Sequence, residues 1–193
     1  MKKAILLFSF SSFFFISKCQ TQEVVSEDLK IVFFRLIDLS SKEKIIERIK
    51  LQPEIFADTI IDTNCKDSYR IVNLKLLDFV STKINFGLLL VNEIGTIRNN
   101  IPTNDSVLSI AVKINFNGTE SKKEARKMFS KLKNIFINNY PYERSGHFLD
   151  DKRPNVSFCN YQFESLAPVV LSLPTKVETG YELIYIYSKW KAK

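Results

Sequence analysis

Histidine is almost missing from this chain of 193 residues; His147 is the single one. A two-histidine zinc site such as H-E-x-x-H therefore cannot be built. The three cysteines, Cys19, Cys65 and Cys159, stand too far apart for C-x-x-C metal or redox spacing. Only five glycines are present, and they form no phosphate-cradling loop and no G-x-S-x-G nucleophile elbow. There is no arginine-rich arm, zinc finger or RNP-type motif, so nucleic acid is not an expected partner. No apolar run reaches the roughly 20 residues of a comfortable membrane span. From these absences we expect no cofactor and no metal, and several large enzyme classes fall away by motif.

The charge that is present is mildly basic. Lysine and arginine number 28 against 21 acids, a net +7. Lys2, Lys3 and Lys18 lie in the first 18 residues with no acid beside them, so the remainder carries +4. That excess is a weak attraction for anionic partners and no more.

The opening residues have the physics of an export signal. "MKK" is a basic start, and "AILLFSFSSFFFI", Ala4 to Ile16, is a short apolar stretch. The residues "ISKC" that follow resemble the lipobox of bacterial lipoproteins: Ile16 and Ser17 match, and Cys19 stands where the acylated cysteine stands. Lys18 departs from the small residue usual before that cysteine. The resemblance implies lipidation at Cys19, a membrane partner through the lipid anchor, and a place in the bacterial cell envelope. The alternative is ordinary secretion or a soluble periplasmic protein, with Ser17 and Cys19 as the small residues before a conventional cut. Residues 1–18 are thus read as signal peptide, 19–28 as a tether, and 29–193 as one globular domain.

Setting Cys19 aside leaves Cys65 and Cys159 as an even pair. An oxidising compartment allows them to form a disulfide, and two separate buried thiols are the alternative.

Along the domain, "LKIVFFRLIDL" reads as a buried strand from its aromatic and β-branched content. A helix is the alternative, because Leu29, Val32, Phe33 and Leu36 share one helical face. Ser40 and Glu43 have capping-box spacing and open a helix that should end near Leu51, since Pro53 follows. "YRIVNLKLLDF", "INFGLLLVNEI" and "VLSIAVKINF" read as strands. Ser121 and Glu124 open the clearest helix, whose apolar stripe is Ala125, Met128, Phe129, Leu132, Ile135 and Phe136. Its basic residues read as the solvated outer face of a helix packed on a sheet, with a membrane-surface helix as the alternative. Three strands, "VSFCNYQF", "PVVLSLP" and "YELIYIYSKW", close the chain. Tyr185, Tyr187 and Trp190 in the last are expected to be core packing rather than a ligand groove. The element order predicts an α+β fold, a mainly antiparallel sheet with two helices packed on it.

Residues 140–155 read as a long loop, and loops of that length are often functional. The loop gathers Tyr140, Tyr142, Arg144, His147, Phe148, Asp150 and Asp151. His147 and Asp150 are a candidate acid–base pair. Asp150 and Asp151 fall short of a cation cage. Aromatic and arginine content suits a protein-contact surface better than catalysis. The expected function is a non-catalytic module that binds a protein partner, for example an immunity-type protein. The alternatives are a carrier or sensor of an apolar ligand and a hydrolase using His147.

Overall fold

The computed structural model describes residues 25–39, 41–52, 56–57, 68–71, 75–77, 79–80, 84–94, 97–98, 101–102, 106–147, 153–160 and 168–191. The expected α+β fold is found, with every strand pairing antiparallel. Among the described residues three helices accompany the strands: α1 (Glu27–Val32), α2 (Lys42–Lys50) and α3 (Ser121–Asn139).

The strands in chain order are β1 (Phe56–Ala57), β2 (Ser68–Ile71), β3 (Lys75–Leu76), β4 (Phe79–Val80), β5 (Ile84–Ile94), β6 (Ile97–Arg98), β7 (Ile101–Pro102) and β8 (Ser106–Asn117). After α3 come β9 (Tyr142–His147), β10 (Pro154–Cys159), β11 (Val169–Ser172), β12 (Thr175–Val177) and β13 (Gly180–Lys191). Nine of these form one sheet in the order β1-β2-β5-β8-β13-β11-β10-β9, with β12 also on β13. The long strands β5, β8 and β13 are its centre. β8 pairs with β5 from Ser106 to Phe116 and with β13 along its whole length. β3–β4 and β6–β7 are separate two-stranded ribbons.

Alternation along β8 and β13 decides which face meets the helices. Ile110, Val112, Ile114 and Phe116 are buried on β8, and their partners Tyr187, Tyr185, Leu183 and Tyr181 lie opposite them on β13. Trp190, opposite Val107, does not share the parity of Tyr185 and Tyr187, so the three are not one stripe. α3 lies on this face with Ala125, Met128, Leu132 and Phe136 fully buried. Phe129 and Ile135 pack at the margin of the same core. This is the expected stripe, and burial of Met128, Leu132 and Phe136 contributes about 1.5–3 kcal/mol each.

The cap of α3 differs from the expected one. Glu120 is the N-cap and makes no side-chain cap bond, while Ser121 is already helical and buried. The turn is closed by the backbone, Ser121 N–H to the Gly118 carbonyl at 3.2 Å. In α2 the cap is Ser41, whose oxygen accepts from the Lys44 N–H, one residue later than the capping-box spacing suggests. The helix ends at Leu51 as expected.

The segment read first as a buried strand is helical as far as Val32 and continues in turns to Leu39. Ser26 caps α1 by accepting from the Leu29 N–H at 3.2 Å, and Glu27 and Asp28 complement the positive end. Leu29, Val32, Phe33 and Leu36 are all buried, which is the helical face rather than the alternating one. Phe34 and Arg35 then adopt left-handed φ of 56° and 57° and stop the helix. The described structure therefore reaches into the stretch read as tether, with α1 starting at Glu27. The Ser26 N–H donates to the Asn139 side chain at 3.1 Å, fastening the start of α1 to the end of α3.

"YRIVNLKLLDF" is not one strand. β2 stays in the main sheet, while β3 leaves it and turns Leu76 into the core. Leu77 has φ 48°, which breaks the extended path, and its carbonyl accepts from Lys131 Nζ of α3 at 3.0 Å.

Candidate functional site

The expected loop at 140–155 is replaced in its first half by a strand. β9 pairs with β10 over six residue pairs, from Tyr142 opposite Cys159 to His147 opposite Pro154. β9 is the last strand of the main sheet, and among the described residues no strand covers its outer side.

This geometry separates the residues expected to act together. Tyr140 is not on a loop surface; it is buried, and its N–H donates to the Phe136 carbonyl at 2.7 Å. It continues the stripe of α3 by one more turn, since Leu132, Phe136 and Tyr140 are spaced by four. That spacing was available in the sequence and was hidden by the Tyr-Pro-Tyr signal that follows. Tyr142 and Arg144 share one face of β9, and Glu143, Ser145 and His147 share the other. Arg144, Ser145, Gly146 and His147 are exposed in succession. Phe148, Asp150 and Asp151 lie outside the described residues, as do Cys19 and Cys65, so the expected His147–Asp150 pairing lies outside them too. Cys159 is buried at the end of β10.

Glu143 is held from the helix layer, where Lys133 of α3 reaches its carboxylate at 2.8 Å. The edge strand is thus tied to α3 on one side and to β10 along its length.

The largest electrostatic feature was not singled out from sequence. Glu182 of β13 is buried on the sheet face turned away from the helices. Its two oxygens meet Lys113 Nζ at 2.5 Å and an Arg153 guanidinium nitrogen at 2.7 Å. One carboxylate therefore holds β13, β8 and the residue before β10 together. The clue was an acid at an inner position of an otherwise apolar, aromatic strand. On the same face the Ser109 and Ser188 hydroxyls are 3.0 Å apart, and the Ile184 N–H donates to Ser172 Oγ at 2.8 Å. These groups satisfy one another, which is the chemistry of a structural polar face rather than of a reacting site.

Among the described residues no group of three or more histidines, cysteines and acids is placed to hold a metal ion. No helix among them is long and apolar enough to cross a membrane. Comparison of the chain with family models, with curated proteins and with solved structures gives no match.

Proposed function

We propose that this chain is an exported, lipid-anchored protein of the bacterial cell envelope whose globular domain binds another protein through the β9 edge. The observation that carries the reading is the row of exposed positions from Arg144 to His147 on an outermost strand. An edge strand presents backbone donors and acceptors to an incoming strand, and side chains on alternate faces give selectivity. An immunity-type protein is one concrete form. The space between helices and sheet is filled by Phe33, Phe136, Phe158 and Tyr185, which favours a binding surface over an apolar carrier. Among the described residues His147 is exposed on the edge strand, which weighs against hydrolysis.

Two measurements test the two halves. Mass spectrometry of the mature N-terminal peptide should show a diacylglyceryl adduct on Cys19; a free Gln20 terminus overturns the anchor. A photo-cross-linking residue at Ser145, in cells, should give a discrete protein adduct that the same residue at Thr179 does not. Equal adducts from both positions, or none from Ser145, overturn the edge as the binding surface.

A further inference from the structure

The outer face of α3 is strongly one-sided in charge. Its exposed positions are Lys122, Lys123, Arg126 and Lys127 in the first two turns, with Lys123 paired to Glu120, and the neutral Ser130, Asn134 and Asn138 toward the Asn139 end. The core has already consumed the apolar stripe of the helix. This face therefore cannot insert into hydrocarbon, and a surface that docks on it must be polar and negatively charged.

Two facts about the chain's path place such a surface beside it. The Ser26 N–H is bonded to Asn139, so the first folded residues sit at the C-terminal end of α3. Seven residue steps separate Cys19 from Ser26, a reach of at most about 25 Å. α3 has 19 residues and is about 28 Å long. An anchor at Cys19 thus holds one end of α3 within a tether's length of the lipid, and a helix lying flat brings its whole basic face to the headgroups. Ile31, the residue of α1 that is 41% exposed, lies in the same helix layer. On that layer the carboxylates of Glu27 and Asp38 are paired with Arg35 and Lys30, and Asp28 is the exposed acid of α1 that the cations must outweigh.

We infer that α3 is a docking face for anionic phospholipid headgroups, which sets the orientation of the anchored domain: helices toward the membrane, the opposite sheet face away from it. This rests on the lipid anchor proposed above. Tethering makes the contact intramolecular, so a face too weak to recruit the protein by itself suffices to orient it. Basic residues near an anionic bilayer gain attraction that salt screens over about a Debye length.

The test uses the full lipidated chain on vesicles, with a photo-cross-linking residue at Ser130 or at Ser145. On phosphatidylglycerol-containing vesicles at low salt, Ser130 should give a lipid adduct and Ser145 should not. The Ser130 adduct should disappear in molar salt, on phosphatidylcholine vesicles, and in the Lys122→Glu, Arg126→Glu double variant, while the chain still floats with the vesicles. A floating chain whose Ser130 probe gives no lipid adduct, or one insensitive to salt and to charge reversal, overturns the docking face alone. A chain that does not float overturns the anchor, and the orientation with it.

Discussion

The Tyr185 hydroxyl of the central strand β13 donates a 2.8 Å hydrogen bond to the Val32 carbonyl at the end of α1. Helix ends leave carbonyls without a helical partner, and here the sheet supplies one from below. The same ring packs edge-on against Phe33 at 5.2 Å and against Phe136 at 6.0 Å. α1 is only six residues long, too short to stand alone, so this contact and the Phe33 ring hold it in place.

Replacing that tyrosine tests the tie. Tyr185→Phe should lower stability by about 1–2 kcal/mol, because the lost bond leaves a buried carbonyl unsatisfied. Burial also pushes the Tyr185 hydroxyl above its ordinary value. The folded state keeps the proton that the unfolded state releases above about pH 10, so this contribution is full below pH 10 and declines above it. The stability difference between wild type and Tyr185→Phe should accordingly narrow as pH rises past 10, measured by urea denaturation at stepped pH.

The turn into β13 permits no side chain. Gly180 has φ 152°, and a Cβ there would stand 2.1 Å from the Phe116 carbonyl oxygen on the neighbouring strand. Gly180→Ala should destabilise by about 2–3 kcal/mol through strain and a shifted β8–β13 register. Gly118→Ala, also at positive φ but with open space around it, should cost less. The denaturation midpoints of the two variants order them.

Glu182 is buried beside Arg153 and the half-exposed Lys113, and its replacement removes the carboxylate charge that both share. Glu182→Gln should cost about 3–5 kcal/mol. Glu120→Gln breaks an exposed pair with Lys123 and should cost less than about 1 kcal/mol. Thermal melts of both variants make the comparison; equal losses would mean that Glu182 is not the fastener of this face.

The proposed Cys65–Cys159 bridge predicts a dependence on reductant. Cys159 is buried, so alkylation of the native protein should be slow. In urea without reductant the bridge would still block it, and labelling should appear only after reduction. Cys65→Ser should then lower stability by about 4–5 kcal/mol, as expected for opening a loop of roughly 95 residues. Full labelling in urea alone would sink the bridge.

Legibility from the sequence followed the length and regularity of each signal. The stripe of α3 repeats over about three turns, so Ala125, Met128, Leu132 and Phe136 are core in the structure as in the pattern. Ile110, Val112 and Ile114 alternate cleanly, and β8 is a central strand. Shorter signals failed where a neighbour decided the outcome. The apolar run 29–36 satisfies a strand by composition and a helix by spacing. The Ser26 cap and the contact with Tyr185 select the helix. The Tyr142–His147 stretch carries loop residues, yet its register with β10 and the Lys133–Glu143 pair make it a strand.

Periodicity alone determined that this chain would build an antiparallel sheet with an amphipathic helix laid on it, because burying an apolar stripe depends only on which residues recur at which spacing. The lipobox-like "ISKC" belongs to the same kind of information, a local pattern that can be read without a fold. What only the tertiary structure decided is which residues meet. Glu182 of β13 reaches Lys113 of β8 and Arg153 beside β10. Arg144 and His147 part to opposite faces of an edge. Those outcomes depend on strand order and register, which bring together residues far apart in the chain, and no local spacing encodes them.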